Sequence, residues 1–333
     1  MRKPYIVWTG MLIVSWWIVA LYSINSGFIS LTPQEVLDTL FGQGTSQQTM
    51  ILFDLRLPRI FLASFIGFGL AISGATLQAT MRNSLAEPGI LGINGGAGLF
   101  VVLFVTLLPT TSNEWIQAVS LPVVALIGGV LTAFIIYVLA YNRNEGTPPI
   151  RLILVGIGVA SGMSALMIVL TLALNPFQYQ FTKLWLAGSI WGASWEKVAS
   201  LLPWLLIGGG LLMYRSRYLD VLTFKEDMAV GLGVKVEQTR LWLSWIAVAV
   251  ASACVAVGGG ISFVGLIAPH LTKQLIGTKH RYVIPISGLV GALLVLTADT
   301  IGRLILQPSE IPAGIIIAII GAPYFLHLLA KKI

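Results

Sequence analysis

The stretch Leu241–Thr272, LWLSWIAVAVASACVAVGGGISFVGLIAPHLT, decides how the rest of the chain is counted. It carries no charged residue, and as one helix it would be about 48 Å long, well beyond a bilayer core of about 30 Å. The run Gly258-Gly259-Gly260 interrupts it with residues that cost helix stability and permit a reversal. Two crossings are expected here. Working outward, further charge-free intervals run 4–34, 60–81, 88–113, 115–142, 152–182, 198–214, 282–298 and 311–330. Several exceed the roughly 20 apolar residues that span a membrane. With the split, the chain reads as an all-α polytopic membrane protein of about ten transmembrane helices, one membrane domain over 1–333.

Composition agrees. Charged residues make up 10% of the 333, hydrophobic ones 56%, and mean hydropathy is +0.89, whereas soluble chains carry about 25% charge. A cytosolic enzyme is excluded. The 35 glycines and 15 prolines follow no period, as in transmembrane helices and unlike collagen. A single cysteine, Cys254, excludes intrachain disulfides, iron–sulfur clusters and Cys-type zinc sites. With the N-terminus inside, 15 of the 20 basic residues fall on one side of the membrane, leaving Arg56, Arg59, Lys183, Lys197 and Arg303 on the other. Cytoplasmic loops are enriched in Lys and Arg, so both termini are expected in the cytoplasm. The net charge of +7 is then a matter of sidedness and calls for no nucleic acid. The first apolar run, from Pro4, is too long for a cleaved signal peptide and lacks a small-residue cleavage site, so it is expected to stay as helix one.

Two connecting segments carry structure of their own. In the outer loop 26–58, Thr32-Pro33-Gln34-Glu35 reads as a capping box with proline at the first helical position. A short helix is expected over 33–41, with Val36, Leu37, Leu40 and Phe41 on one face and a stop at Gly42. Pro58 is expected to start helix two, so that Arg56 and Arg59 flank its first turn. In the cytoplasmic segment 215–240, Val221, Leu222, Phe224, Met228, Val230, Leu232, Val234 and Val236 alternate with charges. Gly231 and Gly233 divide it into two short amphipathic helices, suited either to lipid headgroups or to a cytoplasmic partner.

Catalytic chemistry is missing. No Gly-x-x-x-x-Gly-Lys-Ser/Thr loop is present, so any ATP must bind another chain. His270, His280 and His327 stand apart with no partner at ligand spacing, so no metal site or cofactor is expected. Asp299 lies four residues before Arg303 on one helix face, which suits an ion pair at the outer end of helix nine or an intramembrane proton relay. Discontinuous helices could also bind sodium, so an ion-coupled secondary transporter stays open. Helix five is rich in small residues, Gly156, Ser161 and Ser164 among them, which serve close packing or a pathway equally well.

Five motifs stand in order along the chain: Leu55-Arg56-Leu57-Pro58-Arg59, Arg82-Asn83-Ser84-Leu85-Ala86-Glu87-Pro88, Gly260-Ile261-Ser262-Phe263-Val264-Gly265-Leu266 leading to Pro269-His270, Ala298-Asp299 with Arg303, and Glu310-Ile311-Pro312-Ala313-Gly314. Together they resemble the FecCD permeases, the membrane subunits of ABC importers for iron-siderophores, haem and cobalamin. The resemblance spans 50–330. Two departures are Ser84, where the family has proline, and Lys273, where it has arginine. The first leaves a turn less rigid; the second keeps charge but loses a planar fork.

That resemblance implies a type II ABC importer permease fold in a bacterial cytoplasmic membrane. It implies a second permease, identical or homologous, two cytoplasmic ATPase subunits, and an extracytoplasmic binding protein. It further implies that Arg56, Arg59 and Arg303 pair with that binding protein, and that Lys225, Met228, Gly231, Leu232 and Gly233 couple to the ATPase. Asn83, Leu85, Glu145 and Gly146 would close the cytoplasmic gate, and Gly156, Ser161 and Ser164 would line the pathway. Ferric siderophore is the expected cargo, with cobalamin or haem as the alternative.

Overall fold

The computed structural model describes residues 4–27, 31–107, 114–142, 148–224, 226–306 and 309–332. Its helices follow in chain order: α1 (Pro4–Asn25), α2 (Pro33–Leu40), α3 (Ser46–Thr49), α4 (Leu57–Thr80), α5 (Ile93–Leu107), α6 (Glu114–Ala140), α7 (Pro149–Thr171) and α8 (Pro176–Leu186). Then come α9 (Trp195–Pro203), α10 (Gly210–Tyr214), α11 (Ser216–Leu222), α12 (Glu226–Gly231), α13 (Val236–Gly258), α14 (Val264–Ile276), α15 (His280–Ile305) and α16 (Ala313–Lys332). Among the described residues α3 continues into α4, and α9 into α10, through π-helical turns at Met50–Arg56 and Trp204–Gly209. Counting each of those pairs as one rod and setting aside α2, α8, α11 and α12 leaves ten helices among the described residues, seven of them long and apolar enough to cross a membrane.

The glycine run divides the deciding stretch. Gly259 adopts φ +71°, and a Cβ there would lie 2.0 Å from the Trp185 carbonyl oxygen, so only glycine fits. The Gly260 N–H donates to that same carbonyl (3.2 Å), and the Gly314 N–H donates to the Gly188 carbonyl (3.0 Å). The 13 residues of α14 are only about 20 Å long, so the reversal falls inside the bundle. Facing it is α8, whose first half lies within the charge-free interval 152–182. Its own start signal was present: Asn175 accepts from the Gln178 N–H, and Gln178 returns a bond to Asn175.

At the centre stands α4, buried along most of its length and packed against α13, α14 and α15. Small residues let backbones approach where no water drives helices together. Gly67 meets the Gly291 backbone and Gly74 the Gly265 backbone. At the basic end, carrying α11 and α12, Tyr5 stacks on Tyr282 with centroids 4.2 Å apart. By contrast α7 is hardly buried within the chain.

The α-helical part of helix two starts at Leu57 with Pro58 in its first turn and Arg56 and Arg59 beside it, as expected. The rod itself runs on without a break from Ser46, capped by Thr45. Proline lacks an N–H and its ring presses on the carbonyl four residues back; the π-helical turn before Pro58 opens the ladder and accommodates it. The short outer helix is capped as its sequence suggests, since Thr32 and Glu35 exchange hydrogen bonds, which hold the Glu35 carboxyl below the usual carboxylate range. Val36 turns inward, whereas Leu37, Leu40 and Phe41 are exposed. In segment 215–240 the first helix ends at Leu222, the second runs Glu226–Gly231, and Gly231–Gly233 ends the second helix instead of dividing the pair.

Candidate functional site

Polar residues collect at the two ends of the bundle. At the end opposite α11, the Arg59 guanidinium forms a bidentate contact with Asp299, Nη2 to Oδ1 at 2.9 Å and Nε to Oδ2 at 3.0 Å, and reaches Glu310 Oε2 at 2.8 Å. Arg303 contacts Asp299 at 3.4 Å and donates to the Ser23 hydroxyl, while Arg56 donates to the Ile24 carbonyl. Asp299 is buried (3% exposed) and Glu310 is the open member at 34%. Sequence spacing pairs Asp299 with Arg303; the tighter partner comes from α4, 240 positions away, which no local pattern encodes.

At the basic end, α4 closes in a Schellman turn: the Arg82 N–H donates to the Ala79 carbonyl and the Asn83 N–H to that of Gln78. Glycine normally fills the left-handed position of this motif, yet Arg82 holds it at φ 47°, a conformation costing an L-residue about 1–2 kcal/mol. Its Nε donates to the Leu222 carbonyl at the end of α11, 2.8 Å away. Asn83 Oδ1 accepts the Leu85 N–H (2.9 Å). Asp220 of α11 accepts both the backbone N–H and ring Nδ1 of His280, each at 2.8 Å.

Between the ends, α7 borders a groove of about 490 Å³ whose walls include Gly89, Ala160, Ser161, Ser164 and Ala165. Ser161 and Ser164 thus share one wall, whereas Gly156 is buried and does not border the groove. Among the described residues no three His, Cys, Asp or Glu side chains converge.

The sequence pattern of the FecCD transport family matches residues 14–331. This chain belongs to that family. The FecCD chain is 45% identical to the iron(3+)-hydroxamate import system permease protein FhuG of Bacillus subtilis (strain 168), over 99% of its own length and 98% of the relative's. It is also 45% identical to the iron-uptake system permease protein FeuC of the same organism, over 100% and 98%. In three dimensions it resembles a metal-chelate type ABC transporter in an inward-facing conformation, with a TM-score of 0.82 at 29% identity, over 98% of this chain and 99% of that one. The architecture is therefore that of a type II ABC importer permease, all-helical and multi-pass. Of the other residues singled out by sequence, Glu145, Gly146 and Lys225 lie outside the described residues. Met228 and Leu232 are more than half exposed beside buried Ala229, and Gly231 and Gly233 have nothing within 4 Å of where a Cβ would stand.

Proposed function

We propose that this chain is the membrane subunit of an ATP-driven importer that carries a ferric siderophore inward across a bacterial cytoplasmic membrane, with both termini cytoplasmic. The observation that carries the cargo class is the end-to-end match at 45% identity to a permease named for iron(3+)-hydroxamate import. Two separate ATPase subunits hydrolyse ATP, because this sequence lacks a phosphate loop. A second permease, identical or homologous, covers the open face of α7, and the groove beside Ser161 and Ser164 becomes half of a shared pathway with Gly156 behind its wall. Asn83 and Leu85, with Glu145 and Gly146, close its cytoplasmic mouth.

An extracytoplasmic binding protein docks on Arg56, Arg59 and Arg303. Three guanidiniums there face two carboxylates, so the cluster keeps an excess positive charge that favours an acidic partner. The half-open Glu310 is the carboxylate a partner's glutamate would displace from Arg59. The test is uptake of a radiolabelled ferric hydroxamate into liposomes. With ATPase and binding protein present, ATP should drive uptake, and the permease alone should give none. Uptake driven by a proton or sodium gradient without an ATPase would sink the reading.

The ATPase grips α12 and its flank, Lys225 to Gly233. This support comes from the apolar surface of Met228, Val230 and Leu232, exposed on a helix that buries only Ala229 among the side chains described. Met228→Asp with Leu232→Asp should release the ATPase, lowering affinity at least about 100-fold, since each apolar side chain lost from a contact costs roughly 1.5–3 kcal/mol. Both sites are exposed, so the permease should melt as the unmodified chain does. Co-purification at undiminished affinity would place the contact elsewhere.

A further inference from the structure

We propose that Arg82 is the positioning residue that carries movement of the coupling segment to the turn closing the pathway, an inference that rests on the importer reading above. Arg82 occupies the left-handed position of the turn that ends α4, where glycine would be less strained. A side chain kept at such a position serves something other than the turn. That something is 140 residues away in sequence: its Nε donates to the Leu222 carbonyl at 2.8 Å. Leu222 is the last residue of α11, and its carbonyl is one of those a helix end leaves without a partner, where a cation is favoured.

The residues on either side make this bond a link in a chain of contacts. On the α11 side, Leu219 and Leu222 are buried, and Asp220 is fixed to the start of α15 through two hydrogen bonds from His280. A push on exposed α12 therefore moves a seated element. On the α4 side, Asn83 is bonded to Leu85 through its side chain and to Ala86 through its carbonyl. Beyond them, Glu87 accepts the Phe263 N–H at the head of α14 (3.0 Å). Displacing the Leu222 carbonyl shifts Asn83 and Leu85 as one block, with the Arg82 guanidinium as the polar link beside the packing of α11 on α4.

The test compares Arg82→Gly and Arg82→Lys in liposomes containing permease, ATPase and binding protein, with a radiolabelled ferric hydroxamate. Arg82→Gly removes the strain with the side chain. It should assemble, melt at or above the unmodified protein, and hydrolyse ATP, yet import about tenfold less cargo per ATP, within the range of coupling between sites. Arg82→Lys, which keeps an N–H donor on a chain of similar reach, should recover part of the loss. Spin labels at Ser84→Cys and Thr223→Cys should give a narrow distance distribution with Arg82 present and a broad one in Arg82→Gly. Unchanged import per ATP in Arg82→Gly would overturn the inference, and so would a lowered melting temperature, which would mark a purely structural residue. Failure of the unmodified complex to import under ATP is a separate result: it would overturn the importer reading and this inference with it.

Discussion

Gly67→Leu should leave little folded permease in the membrane. A Cβ on Gly67 would sit 2.1 Å from the Gly291 carbonyl oxygen, and one on Gly291 would sit 2.3 Å from the Gly67 oxygen. Both obstacles are backbone, so no side chain can swing aside; α4 and α15 must move apart. They cannot part locally, because Gly74 meets Gly265 two turns further along the same face and α4 is wrapped by three helices. Overpacking a tight core typically costs 1–3 kcal/mol, occasionally more, and here the whole side chain is excess, so a loss at or above about 4 kcal/mol is expected. Gly10→Leu on α1 and Gly210→Leu on α10 are the controls, since nothing lies within 4 Å of a Cβ at either position. Membrane expression and thermal melting in detergent are the measurements. A Gly67→Leu protein that expresses and melts like the controls would mean that the close helix contact is dispensable.

That contact also marks where sequence reading stops. The all-helical, multi-pass class was legible because a bilayer imposes length and charge rules that act on each segment alone, and Gly258–Gly260 announced the one ambiguous break; seven of the ten expected segments are helices long enough to cross. The capping box at Thr32 was legible for the same reason: its partners lie three residues apart. A comparable box at Asn175 and Gln178 was equally local, yet the apolar residues around it hid a separate α8 within one long interval. The start of helix two was legible in part. Proline marks the first α-helical turn at Leu57, but the π-helical turn before it carries the rod back to Ser46. The site was legible in its residue types and not in its pairings. Arg59 with Asp299, Arg82 with Leu222 and Asp220 with His280 join positions 60 to 240 residues apart, and only the packing of α4, α11 and α15 brings them together. Helix five illustrates the remaining gap: Gly156, Ser161 and Ser164 share a composition, and it takes the rotation of α7 to separate one buried glycine from two groove-facing serines.

Asp299→Ala is expected to be the most damaging change among the charged residues. Asp299 is 3% exposed and holds Arg59 by paired hydrogen bonds while touching Arg303. Removing it leaves two largely buried guanidiniums sharing Glu310, which is itself part-exposed and bonded to only one of them. Breaking a buried pair from one side costs about 3–5 kcal/mol, because the remaining charge keeps its desolvation penalty without its partner. The cost should shrink when the other side goes too: Asp299→Ala with Arg59→Met should melt higher than Asp299→Ala alone, the sign of non-additivity that direct contact requires. The double variant, set beside Asp299→Asn, separates the two roles open to an intramembrane carboxylate. If Asp299 serves as an ion-pair partner, the double variant should import cargo in proportion to its folded fraction, less whatever the loss of Arg59 takes from binding-protein affinity at low salt. If it relays protons, uptake should vanish in Asp299→Asn even where the protein is folded and docking is intact. Glu310→Gln offers the complementary measurement, since it frees Arg59 on its open side without touching the buried contact. Affinity for an acidic binding protein should then rise at low salt and the gain should fade at high salt as surface charges are screened; an affinity indifferent to both would mean that Arg59 is spent within the chain.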